Sequence, residues 1–170
     1  MADVVQLVRF QIAHSAWALG EIIRHAKPLA TSAIEQDMGI GPGSLRDNLA
    51  HTLEAMIYFA ENFAGRDYDT ARYANVERCS KTLDGLEELL GIAHARLRES
   101  MVSVCERGLP ERVLWPNAEG GSMPWVTAVA QVFDHATLHR AQCVNMLKRL
   151  GVDPAPDLDP MTFRSRGLSW

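Results

Sequence analysis

The chain has 170 residues, 47% of them hydrophobic and 22% charged, a composition that fits one folded globular domain and excludes a disordered or fibrous chain. A formal net charge of -4 and a pI near 5.8, with Lys and Arg scattered along the chain, leave no electrostatic footprint for a nucleic acid. No stretch reaches the roughly eighteen apolar residues that span a bilayer, Asp3 and Arg9 precede any long apolar run, and three well-separated cysteines, Cys79, Cys105 and Cys143, suit free thiols in a reducing compartment. A cytoplasmic protein without membrane or nucleic acid partners is the expectation.

The first predicted helix runs from about Val4 to His25, where Val5, Val8, Ile12, Ala16, Leu19 and Ile23 recur at helical spacing, and Pro28 ends it. A Gly-rich connection, Gly39 to Gly43, leads to Ser44-Leu45-Arg46-Asp47, a serine followed three residues on by an acid, which is how a capped helix starts. The second helix begins there and stops at Gly65. After a loop from Arg66 to Asn75, the third carries Leu83, Leu86, Leu90, Ala93, Leu97, Met101 and Val104 as one apolar stripe and closes at Gly108. From Leu109 to Met123 the periodicity breaks, and residues 116–121 have turn chemistry suited to the tip of an irregular hairpin. The fourth helix starts near Pro124 and runs to Leu150. Beyond it, Pro154, Pro156 and Pro160 predict an extended tail over residues 152–170. The fold class is therefore all-α: a single domain over 1–170 built as a four-helix bundle with an irregular connection before the last helix.

Within the fourth helix, His135 and His139 are spaced four apart, so their imidazoles project from one face about a turn apart and can close on one divalent ion. They fall in the row Ala128, Val132, His135, His139, Gln142, Met146, Leu150, which faces other helices. Two adjacent buried imidazoles without an ion need partners for four ring nitrogens, and satisfied core histidines are the competing explanation. A third ligand has to come from another helix. Spacing leaves His14, His25, His51, His94 and the carboxylates open, and favours His94 slightly because it lies beside the stripe of the third helix. His51 stands nearly opposite the stripe Leu45, Leu49, Leu53, Met56, Ala60, Phe63, in a polar column with Asp47, Glu54, Tyr58 and Asn62 that is either solvated surface or a pocket wall. In the second case the helix is buried on two sides, by core or by a partner subunit, which motivates the expectation of a homodimer.

The segments Gly43-Ser44-Leu45-Arg46-Asp47-Asn48-Leu49-Ala50-His51 and Asp134-His135-Ala136-Thr137-Leu138-His139-Arg140-Ala141-Gln142, with the Gly120-Gly121 turn between them, resemble the DinB-like family, over most of the chain. That resemblance implies a four-helix bundle in which His51 joins His135 and His139 around one divalent metal. In the first helix, His14-Ser15-Ala16-Trp17-Ala18-Leu19 is similar to the family's Asn-x-x-Trp-Ala-Asn, with His14 and Leu19 in place of amides. Reactions assigned to such relatives are thiol S-transfer with low-molecular-weight bacterial thiols, metal-dependent isomerisation and hydrolysis of small molecules.

Three neutral imidazoles leave a position open on an ion, which is what distinguishes a reactive site from a structural one. Zinc or nickel is expected first, iron or cobalt next, any of which lowers the pKa of a water or thiol for use against a small electrophilic substrate. On the column of His51, Glu54 is the candidate general base and Tyr58 the candidate donor to a substrate oxygen, while Asp47 is positioned to hold the His51 tautomer. Trp115 and Trp125 flank the irregular turn and suit a pocket mouth or plain packing, and Cys143 reads as core. A metal-binding bundle without turnover is the alternative function.

Overall fold

The computed structural model describes residues 2–66, 68 and 75–167. Four long helices dominate: α1 (Ala2–Ala26), α3 (Leu45–Phe63), α5 (Leu83–Arg107) and α6 (Trp125–Arg149). Between them lie α2 (Thr31–Ile34), α4 (Asn75–Cys79) and a two-stranded antiparallel hairpin, β1 (Arg112–Leu114) and β2 (Ser122–Pro124), and α7 (Pro160–Ser165) closes the chain. The long helices coincide with the predicted ones to within a few residues, because each carries its own apolar stripe and its own stop signal.

Ser44 caps α3 by accepting from the Asp47 N–H at 3.1 Å, and its hydroxyl donates to the Asp47 carboxylate at 2.6 Å, so the predicted start signal works in both directions. The stripe from Leu45 to Phe63 is buried throughout, and it meets α5 within the same chain. α1 and α3 lie on one diagonal of the bundle, each packed against both α5 and α6. Ion pairs Arg9–Glu106 and Lys27–Glu87 make α1 antiparallel to α5, while contacts of Asn48 with Met146 and of Phe59 with His135 make α3 antiparallel to α6. The diagonal placement follows from the long passage through α2 between α1 and α3, which crosses the end of the bundle instead of folding back as a tight hairpin. α4 approaches α5 so closely that a Cβ on Gly85 would stand 2.3 Å from the Cys79 carbonyl oxygen, and only glycine fits there.

One expectation is met and one changes. The connection before α6 is the hairpin itself, with a 3-10 turn at Glu119–Gly121 at its tip, and it lays Trp115 face to face on Phe59 at 5.1 Å. The tail is not wholly extended. Pro160 occupies the first turn of α7, where its missing N–H costs nothing, and Asp159 caps the helix by accepting from the Met161 N–H at 2.7 Å. Phe163 then docks, buried, among Phe10, His14 and Trp17 of α1. Most of the loop expected over 66–75 lies outside the described residues, as do residues 168–170. No helix among the described residues is long and apolar enough to cross a membrane.

Candidate metal centre

α3 and α6 bring three imidazoles together. One ring nitrogen each from His51, His135 and His139 lies within 4.8 Å of the others, and the Nε2 atoms of His51 and His135 are 3.2 Å apart. Two nitrogens bound tetrahedrally to one zinc-sized ion at ~2.1 Å stand about 3.4 Å from each other, so the spacing is that of ligands. Ring centroids separated by 4.5 to 5.1 Å complete the triangle. Burial grades across it: His139 is buried, His135 half-buried and His51 exposed, which leaves one side of the cluster facing solvent. The donor set, neutral nitrogens with an open side, fits a divalent metal.

His139 is oriented from behind. Its Nδ1–H donates to Asn48 Oδ1 at 3.2 Å, which frees Nε2 to face the other rings. Asn48 is itself fixed, because its amide donates to the carbonyls of Ile40 and Ser44, both at 3.0 Å. Gly41 lies against this arrangement at φ +55°, and a Cβ there would be 2.5 Å from Gln142 Oε1 and 2.8 Å from Asn48 Oδ1. The Gly-rich connection thus serves the site as a close-packed wall. Sequence reasoning missed both residues; the signal available was an amide one turn before His51, on the side of α3 that faces the core.

Of the other expected residues, Glu54 and Tyr58 line a pocket of about 360 Å³ together with His51, His135, Tyr68 and Asn117. The Tyr58 hydroxyl is buried with no hydrogen-bond partner among the described residues. Burial raises the Glu54 pKa above its ordinary value, against the pull of nearby His51. Asp47 is corrected: its carboxylate oxygens go to Ser44 and Arg46 and not to His51, since the third position of a capped helix already commits it to the cap. The other candidate ligands are engaged or elsewhere. His14 donates from Nε2 to the Leu158 carbonyl at 2.8 Å, His25 donates from Nδ1 to the Glu21 carbonyl at 2.7 Å, and half-buried His94 on α5 belongs to no such cluster. Cys143 is fully buried, its thiol pushed up to about 12, as core. Trp115 and Trp125 are both buried, and of the hairpin connection it is Asn117 that reaches the pocket.

Burial first, then repulsion from His139 and His51, pushes His135 down to about 4, and burial likewise lowers His139. These rings stay neutral in the folded chain at pH values where unfolded imidazoles, with pKa near 6.5, already take up protons. The sign follows: the unfolded state binds more protons below pH 6.5, so the metal-free protein loses stability as pH falls from about 6.5 toward about 4. Thermal melts of chelator-treated protein across that window should show the midpoint falling, and His135→Phe should flatten the slope.

The fold and the cluster define an all-α bundle with a three-histidine candidate metal centre on two of its helices. The chain belongs to the DinB family, whose family model matches residues 6–165. No curated protein and no solved structure matches the chain.

Proposed function

We propose that the protein is a metal-dependent enzyme acting on a small molecule by thiol transfer or hydrolysis, with His51, His135 and His139 holding a divalent ion, zinc or nickel ahead of iron or cobalt. The observation that carries this reading is the pocket beside the open side of the histidine cluster, walled by Glu54 and by a buried Tyr58 hydroxyl that has no partner among the described residues. A divalent ion at that cluster supplies Lewis-acid chemistry, making a water or a low-molecular-weight thiol acidic enough to react near neutral pH. Glu54 accepts the proton that such a nucleophile gives up, and its raised pKa keeps it a stronger base than an exposed carboxylate. Tyr58 donates to a substrate oxygen as negative charge develops there. Asn48 holds His139 in the tautomer that turns Nε2 inward. Phe59, stacked on Trp115 and edge-on to His135 at 5.6 Å, forms an apolar floor that keeps water from one side of the cluster.

Elemental analysis of the purified protein, followed by a thiol-dependent and a thiol-independent activity screen, tests the reading. Binding of bacillithiol or mycothiol to cobalt-substituted protein should change its visible absorption, and silence with every such thiol selects the hydrolytic branch. Glu54→Gln is expected to lower kcat by about 10²-fold or more with metal content unchanged, and to remove the rise of rate with pH through the carboxylate's titration. Turnover undiminished in that variant would take Glu54 out of the chemistry, and a metal-replete protein inert to all substrates would support a non-catalytic bundle. We further propose a cytoplasmic location and a homodimer, the second checked by mass in solution.

A further inference from the structure

We propose that a second site, separate from the histidine cluster, binds a small apolar monocarboxylate through Arg140. This side chain is only 8% exposed, yet its two hydrogen bonds go to neutral hydroxyls, Ser15 Oγ and Thr137 Oγ1, both at 2.8 Å. Among the described residues no carboxylate is within ion-pair distance of it. A guanidinium remains charged under all ordinary conditions, and a buried charge needs a counter-charge or a dense set of acceptors, which two hydroxyls do not make.

Arg140 lines a pocket of about 590 Å³ between α1, α6 and the chain leading into α7, a volume suited to a small organic ligand. Gln11 and Thr137 add polar edges, and Ala141, Val144 and Leu158 supply apolar wall. The two acids on the rim are already committed: Asp157 accepts from the Asp159 N–H at 3.1 Å and the Thr162 hydroxyl at 2.7 Å, and Asp159 accepts from the Met161 N–H. Their charges nevertheless disfavour a dianion such as phosphate, while one planar guanidinium matches one planar carboxylate. The apolar wall calls for a hydrocarbon body behind that head group. α6 separates the two sites by helical phase: His139 turns toward α3, and Arg140, one residue on, turns toward α1.

The test is an NMR titration of metal-loaded, full-length protein with hexanoate, with hexanamide as the uncharged control. Saturable shifts centred on the amides of residues 137–144 are expected from hexanoate and none from hexanamide. Arg140→Met should weaken hexanoate at least about tenfold, and Ala141→Phe, an exposed helix position that fills the pocket while keeping the arginine, should abolish it. His51→Ala should bind hexanoate as the parent does, which separates this site from a carboxylate on the metal. Equal binding of hexanamide, shifts centred on His51 and His135, absence of saturation, or parent-like binding by Ala141→Phe would each overturn the assignment.

Discussion

His139→Ala is expected to abolish retention of a divalent metal through dialysis while leaving helix content intact. His139 is the buried member of the cluster and the one with an anchored tautomer, so its nitrogen is the best preorganised of the three. Loss of an outer partner alone weakens metal sites by about 10–100-fold, and loss of a ligand exceeds that. The substitution also strips Asn48 Oδ1 of its donor, at about 1–3 kcal/mol, which a domain of this size tolerates. Metal content by elemental analysis and the melting shift on adding zinc are the readouts. At a zinc concentration 1,000 times Kd the parent should gain about 4 kcal/mol, and the variant almost nothing. His94→Ala is the control, since that half-buried ring lies apart from the cluster, and it should retain metal fully. Retention by His139→Ala, or loss in His94→Ala, would remove the assigned ligand set.

Gly41→Ala is expected to weaken metal binding by about 10–100-fold although no atom of Gly41 belongs to the cluster. The new methyl would stand 2.5 Å from Gln142 Oε1 and 2.8 Å from Asn48 Oδ1, so one or both amides must move, and Asn48 is the group that holds His139. The positive φ of +55° adds backbone strain of about 1 kcal/mol that any non-glycine residue would bear there. Gly39→Ala separates the two effects. Its φ of +64° imposes similar strain, but nothing lies within 4 Å of the added carbon, so it should lose stability and keep its metal affinity. Calorimetric titration with zinc, beside thermal melts, distinguishes the pair; equal affinities in both variants would mean that the Gly-rich connection does not act on the centre.

Helix positions, the cap at Ser44 and the pairing of His135 with His139 were legible along the chain, because each depends on residues within a few turns of one another: an apolar period, a serine and an acid three apart, two imidazoles four apart. The selection of His51 over His94 was not legible from spacing. Both lie beside or opposite apolar stripes, and only the packing of α3 against α6 puts one of them 3.2 Å from His135. Among sequence signals, only the resemblance of residues 43–51 and 134–142 to a known family points to His51.

Local rules misled where a residue had two uses. Asp47 was equally able to serve the cap or the imidazole, and the cap took it since that partner is three residues away while the ring points elsewhere. Pro160 forbids a helix interior but starts a helix well, and Phe163 gained a buried place on α1 by letting it do so. The chain by itself determines which segments are helical and which side of each is apolar, through periodicity and stop signals that need no partner. Which imidazoles meet, that Asn48 and Gly41 stand behind His139, and that Arg140 is buried without a counter-charge among the described residues depend on how α1, α3 and α6 face one another. Side chains far apart in sequence acquire a distance only when the bundle closes.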